Sequence, residues 1–281
     1  MSTPCPIPKR VGIVHKIGSR AAEETARSAA QFLRGKGVEV LTDEAETARS
    51  ADLVLVLGGD GTLLHAAHLL EGRVAPILGV NMGSLGFMTE IPQTELDRAI
   101  DLVLTGRATL SERMKLRVHL HRAGAAGDKP ELDSEVLNDV VIAKGTLAHM
   151  VELDTSFGGD YVTTYRSDGI IVSTPTGSTA YALAANGPLM YPSMRGVIIA
   201  PICPHTLTQR PIVVPDDQHI NIVLTSDPGE AYLTLDGQEG VPVLRGDRVQ
   251  VKQSTNRVLL VRNPQMDYFG ILRAKLRWGE R

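Results

Sequence analysis

Aromatic residues make up only 4% of this 281-residue chain, which removes the stacking platforms that single-strand nucleic-acid binders need. Basic charge is not in excess either. The formal net charge of −3 excludes nonspecific nucleic-acid binding, which rests on a surplus of Lys and Arg. Two cysteines, Cys5 and Cys203, cannot form a disulfide framework, so a cytoplasmic location is expected. No run of about 18 apolar residues is present, so no membrane-spanning helix is expected. The opening Met1–Pro6 has no apolar segment before Lys9 and Arg10, and no secretory signal is read there. Three motifs are also missing. There is no G-x-x-x-x-G-K-S/T, which excludes a P-loop enzyme, and no protein-kinase set. The absence of a strict G-x-G-x-x-G weakens a dehydrogenase reading.

What is present is a chain that can bury a core, 43% hydrophobic and long enough for about two domains. Residues 11–105 alternate short Val- and Leu-rich runs with helical stretches. The runs are Val11–Val14, Val38–Leu41, Leu53–Leu57 and Pro76–Val80. Helices are read from Ala21 to Leu33 and from Thr94 through Leu96, Ile100 and Leu104. That alternation implies right-handed crossovers and a parallel sheet. Near Arg113 the pattern changes. Met114, Leu116, Val118 and Leu120 alternate with Lys115, Arg117, His119 and His121, a strand with one wet face. Strands then recur at short intervals, including Val136–Ile142, Ile170–Ser173, Arg248–Lys252 and Val258–Val261, with one helix at Ser178–Asn186. Ala123–Asp128 reads as a hairpin loop. The organisation is a Rossmann-like α/β domain over 1–110, a mainly β sandwich over 111–265 and a helix over 266–281 that packs back on the first domain.

The motif richest in chemistry is Gly58-Gly59-Asp60-Gly61-Thr62, between the run Leu53–Leu57 and the helix-forming Leu63–Ala67. A strand-to-helix turn is where ligands bind in open α/β sheets. Glycines there let the backbone and a helix N-terminus approach a phosphate. Asp60 would repel an anion, so it makes better sense as a group that accepts a proton while phosphate moves; the bland alternative is a helix N-cap. A second glycine loop, Gly79 to Phe87, belongs at the same sheet edge or is a structural loop. Ser173 to Tyr181 carries six hydroxyl residues in nine positions, a density that fits a loop around a polar ligand better than burial. Asn138 and Asp139 sit within an apolar strand, where a buried acid needs partners. Asp236-Gly237 alone reads as a type I′ turn. His65 and His68 lie one helical turn apart without a third ligand nearby, so no metal site is assigned.

Taken in order, Gly58–Thr62, Asn81–Phe87, Asn138-Asp139, Arg166–Gly169, Ser173–Tyr181 and Asp236-Gly237-Gln238 resemble the NAD kinase family, and the resemblance covers nearly the whole chain. It implies transfer of the terminal phosphoryl group of ATP or polyphosphate to the 2′-hydroxyl of the adenosine ribose of NAD. It also implies a homodimer or homotetramer, and a divalent cation, Mg²⁺, carried with the nucleotide. On this resemblance Asp60 is the catalytic base, and Gly58, Gly59, Gly61 and Thr62 form the phosphate-donor loop. NAD contacts fall on Asp60, Gly61, Asn138, Asp139, His149, Arg166, Asp168, Thr179, Ala180, Tyr181, Ala182, Leu183, Ala184 and Gln238. Two positions depart from the family pattern. Asn138-Asp139 stands for the usual Asn-Glu, a shorter reach that a water can bridge, and Ser167 stands where Gly is frequent. The rival readings are a lipid kinase of the diacylglycerol or sphingosine type, which shares the glycine turn, and a catalytically silent nucleotide-binding regulator.

Overall fold

A computed structural model describes residues 3–70, 72–125, 127, 129–145, 149–227, 229–238 and 240–278. The chain forms two compact units, Met1–Arg113 with Asn256–Arg281, and Met114–Thr255. The boundaries read from sequence at 110 and 265 thus fall at Arg113 and Thr255. Both lie inside long strands, Thr109–His121 and Arg248–Val261. Continuous strand pairing hides such boundaries from composition. The loop read at Ala123–Asp128 lies partly outside the described residues.

The first unit is an α/β layer structure. Its parallel strands lie in the order Glu39–Leu41, Arg10–His15, Leu53–Gly58, Ile77–Asn81, with Leu260 pairing beyond against Ile77. Every residue of Leu53–Gly58 and Ile77–Asn81 is buried, which explains their unbroken apolar runs. Helix Arg20–Gly35 starts at Ser19, whose hydroxyl accepts the Ala22 N–H, and lays Ala22, Ala26, Ala29, Ala30 and Leu33 on the sheet. Helix Leu96–Leu104 buries Leu96, Ala99, Ile100 and Val103, and both helices share one core with Ile13, Leu55 and Leu57. The closing helix, Tyr268–Leu276, is capped by Asp267 and belongs to this unit.

The second unit is a sandwich of antiparallel sheets. One sheet orders its strands Ile212–Val214, Val197–Ile202, Gly169–Ser173, Asp139–Lys144, Ala231–Leu235 and Val241–Pro242. The facing layer includes Val151–Phe157, paired with Asp160–Ser167 and Ile220–Leu224. Ile142, Ile170, Val172 and Ile199 of the first sheet meet Leu116, Leu153, Ile222 and Val249 of the second layer in one core. The run Val136–Ile142 is not a single strand. Leu132–Val136 pairs with Thr109–His121, whereas Asp139–Lys144 joins the six-stranded sheet. Leu137 and Asn138 are the two-residue crossing between layers. Lys115 departs from the wet face read for it: it is 4% exposed and ion-paired to Glu135 at 2.8 Å.

Candidate functional site

In the first unit, Gly59 caps the helix Asp60–Leu69, so the N-cap reading of Asp60 does not hold. The Asp60 carboxylate instead faces the second glycine loop. Its Oδ1 accepts the N–H groups of Met88 and Thr89 and the Thr89 hydroxyl, at 3.0, 3.1 and 3.1 Å. Its Oδ2 accepts a single bond, from Phe87 N–H at 2.8 Å. Three donors fill one oxygen and leave the other with an open lone pair. The loop itself is held by the buried Asn81, whose Oδ1 accepts from Gly83 N–H at 2.6 Å and whose Nδ2 donates to Ser84 O and Thr89 Oγ1. A side chain at Gly86 would fall on Asp60 Oδ1 and Thr89 Oγ1, so glycine is a steric requirement there. Lys275 of the closing helix sits 5.4 Å from the Phe87 ring centroid and covers the same loop.

The loop N–H groups of residues 87–89 therefore serve Asp60 and are not free for a phosphate. What remains open is the first turn of the helix. Thr62 and Leu63 N–H bond to Gly59 O, and those of Asp60 and Gly61 have no backbone acceptor among the described residues. Gly58, Gly59 and Thr62 complete this turn, and a Cβ at Gly58 would strike the Thr62 side chain. Next to the loop, Glu90 is buried with the Arg113 guanidinium 3.5 Å away. Burial pushes the Glu90 carboxyl above the usual carboxylate range against the pull of Arg113.

In the second unit, the structure gathers Asn138, Asp139, Thr179 to Ala184 and Gln238 at one end of the six-stranded sheet. Asp139 pairs in register with Ser173, and Leu235 with Val140. Asp236 and Gly237 have φ of 51° and 73°, the left-handed pair of a type I′ turn. The turn reading holds, yet it misses the side chain. The Asp236 carboxylate accepts the N–H groups of Leu137, Asn138 and Asp139 at 2.8, 2.7 and 3.0 Å, fixing the layer crossing.

The hydroxyl segment corrects the sequence reading. Ser173, Thr174, Thr176 and Ser178 are all buried, and most of their hydroxyls serve the fold. Thr174 Oγ1 donates to Leu137 O at 2.6 Å and accepts Gly177 N–H. Ser178 Oγ donates to Pro175 O and accepts Met190 N–H. Ser173 Oγ reaches Asn138 O, and Thr179 Oγ1 reaches Thr176 O. The density of hydroxyls builds a compact turn locked to the Asn138 backbone. Thr176 Oγ1 is the exception, buried and without a partner. In the sequence nothing sets it apart from its neighbours. The helix that follows is short, a 3₁₀ turn Gly177–Thr179 and then Tyr181–Ala184, with the Tyr181 ring exposed.

Asp139 is 4% exposed. Burial, and then the Asp236 charge, push its carboxyl up from 3.8 to about 7, with the Tyr181 N–H pulling the other way. The folded protein thus holds this proton where the unfolded chain has released it. Stability from this group is present at low pH and is lost as pH rises from about 4 to about 7. We predict that Asp139→Asn removes that slope. Between pH 5 and pH 8 the stability of the variant relative to wild type should rise by about 3 kcal/mol. Urea melts at the two pH values measure it, and an unchanged difference would contradict the assignment.

Arg166 and Asp168 do not join this cluster. They lie at the opposite end of the strand Gly169–Ser173, whose Gly169 pairs with Ala143. Four residue steps along the strand separate the two ends by about 13 Å. There Asp168 is ion-paired to Lys144 at 3.0 Å and Arg166 to Glu152 at 3.5 Å. His149 is exposed. His65 hydrogen bonds Glu44 at 3.0 Å. Among the described residues, no three His, Cys, Asp or Glu side chains cluster as metal ligands would, and no helix is long and apolar enough to cross a membrane.

Comparison with known proteins bears on both units. The ATP-NAD kinase N-terminal domain family matches residues 44–108, and the ATP-NAD kinase C-terminal domain family matches residues 137–263. The chain belongs to the NAD kinase family. An NAD kinase of Geotalea daltonii is 46% identical over 97% of this chain and 100% of its own length, and one of Solibacter usitatus is 40% identical over 98% and 100%. An Archaeoglobus fulgidus NAD kinase, solved in complex with ATP, superposes with a TM-score of 0.77 at 25% identity, over 94% of this chain and 99% of that one. A yeast NADH kinase solved with NADH shares the fold at a TM-score of 0.89 and 23% identity, over 99% and 89% of the two chains. The activity is that of an NAD kinase, and the α/β unit followed by an antiparallel β unit is the architecture of its solved relatives.

Proposed function

We propose that the protein transfers the terminal phosphoryl group of ATP or polyphosphate to the 2′-hydroxyl of the adenosine ribose of NAD, with Asp60 as general base. The observation that carries the role of Asp60 is the unequal loading of its two oxygens. Oδ1 is anchored, and Oδ2 is held in place with a lone pair to spare. A ribose hydroxyl is a weak nucleophile that needs orientation and a proton acceptor. Its oxygen forms the new bond to the terminal phosphorus as the bond to the bridging oxygen breaks. ADP or the shortened polyphosphate leaves with the electron pair, and the hydroxyl proton passes to Asp60 Oδ2. Positioning and charge neutralisation supply most of the acceleration. Mg²⁺ would be held by the nucleotide rather than by a cluster of protein ligands, none being found among the described residues, and would supply neutralisation of the phosphate charge.

Gly58, Gly59, Gly61 and Thr62 take the donor phosphates, with the open N–H groups of Asp60 and Gly61 as donors. Asn138, Asp139, Thr179 to Ala184 and Gln238 take the adenosine end of NAD. His149, Arg166 and Asp168 belong to the more distant part of the same dinucleotide, Arg166 and Asp168 in keeping with their place at the other strand end. Homodimeric or homotetrameric assembly and a cytoplasmic location complete the proposal. Incubation of the purified protein with NAD, Mg²⁺ and either ATP or polyphosphate, with NADP as the readout, tests it; no NADP with either donor would refute it.

Asn138 gives a sharper test. Its backbone is fully used, by Asp236, Thr174 and Ser173, while its half-buried side chain makes no hydrogen bond among the described residues. Asn138→Ala should leave the melting temperature nearly unchanged and raise KM for NAD about tenfold, the worth of one or two ligand hydrogen bonds. KM for ATP should move less than twofold. Equal effects on both substrates would refute a role in NAD binding.

A further inference from the structure

The parallel sheet of the first unit, read in chain order, has its strands in the sequence 2-1-3-4. In such sheets ligands bind outside the carboxyl ends of the strands, where the order reverses, here between Arg10–His15 and Leu53–Gly58. One side of that crevice is the glycine turn already described. The other side is the connection 16–19, which carries no assigned role. His15 pairs with Leu57, and the Lys16 N–H donates to Leu57 O at 2.9 Å. Lys16 therefore leaves the sheet directly beside Gly58, the first residue of the turn.

Charge makes this placement significant. Four connections leave the carboxyl ends of these strands before the next helix or strand begins: 16–19, 42–43, 59 and 82–90. Lys16 is the only Lys or Arg among them. Arg20, the next cation, is already paired to Glu24 at 2.8 Å. On the other side stands Asp60, and the donor proposed to bind there bears several negative charges. The Phe87, Met88 and Thr89 N–H groups, which would otherwise receive an anion, are committed to Asp60. Lys16 is exposed and has no ion pair among the described residues, and its neighbour His15 keeps a buried Nδ1 without a partner. The strand end is thus supplied with polar groups that the fold itself does not use.

We infer that Lys16 binds the terminal phosphates of the donor. This rests on the phosphotransfer reading, and it applies equally to a nucleoside triphosphate and to inorganic polyphosphate, since both present the same chain of phosphates. Lys16 is a binding residue here, distinct from the proton acceptor. As a flexible point charge it follows the phosphate through transfer.

Lys16→Met and Lys16→Arg in the full chain test it. At saturating NAD, Lys16→Met should raise KM about tenfold or more for both MgATP and polyphosphate, the range for loss of one charge-assisted hydrogen bond. KM for NAD should stay within about twofold of wild type, and Lys16→Arg should recover most of the loss. Titration of a non-hydrolysable ATP analogue with Mg²⁺, without NAD, should show the same weakening. Because Lys16 is exposed, the thermal melt should not move; should Lys16→Met fail to fold, Lys16→Gln takes its place. An unchanged donor KM overturns the inference, as does an equal rise in KM for NAD. A response to ATP but not to polyphosphate places Lys16 away from the terminal phosphates and also overturns it. If wild type makes no NADP yet the analogue binds and is weakened by Lys16→Met, the phosphotransfer reading fails and the anion site stands.

Discussion

Asp60→Asn should lower turnover by about 10²–10⁴, the usual share of a general base, while NAD affinity stays within a few-fold. The side chain keeps its shape, and the amide oxygen can take the position of Oδ1, still accepting from Met88, Thr89 N–H and Thr89 Oγ1. The amide nitrogen then takes the place of Oδ2. It loses the bond from Phe87 N–H and has no lone pair for a proton. The loss of that one bond costs about 1–3 kcal/mol of stability, which a thermal melt separates from the kinetic effect. Single-turnover rates at saturating NAD and ATP give the chemical step itself. A rate near that of wild type in a folded Asp60→Asn protein would remove Asp60 from the role of base and leave it as a structural clamp.

Much of the fold follows from local pattern. The buried strands of the first unit announce themselves as Val and Leu runs, and the alanine stripe of Arg20–Gly35 marks its inner face. The helix Glu44–Ser50 escapes notice because it buries only Thr47, so it carries no apolar period to read. The layer crossing at Leu137 and Asn138 is hidden because Val136–Ile142 is apolar throughout, and a strand that changes sheets keeps the same composition. The arrangement around both acids is illegible for a different reason: each depends on partners distant in sequence. Asp60 meets residues 87–89, and Asp236 caps residues 137–139. The glycine turn suggests a site. Which lone pair of Asp60 stays open is a fact of tertiary structure. The hydroxyl segment shows the opposite failure, since its polar density reads as ligand binding although Thr174 and Ser178 spend their hydroxyls on the turn itself.

Gly86→Ala should reduce turnover about 100-fold although Gly86 is itself neither an acid, a base nor a residue assigned to a substrate. The added Cβ would occupy the space of Asp60 Oδ1 and Thr89 Oγ1, and neither can retreat cheaply. Asp60 is tied by four hydrogen bonds, and Thr89 gives two of them. The least costly relief is for the loop 86–89 to back away and carry the carboxylate with it or release it. A displacement of about 1 Å at a reacting group is enough for a loss of about 10²-fold, and the overpacking itself costs about 1–3 kcal/mol in stability. Loss of position, unlike loss of a base, leaves the proton acceptor in the protein. KM for NAD should change little, because Gly86 and the residues assigned to NAD beyond Asp60 and Gly61 belong to different units. Wild-type turnover in Gly86→Ala would mean that the loop accommodates a methyl group and that the clamp does not set the geometry of Asp60.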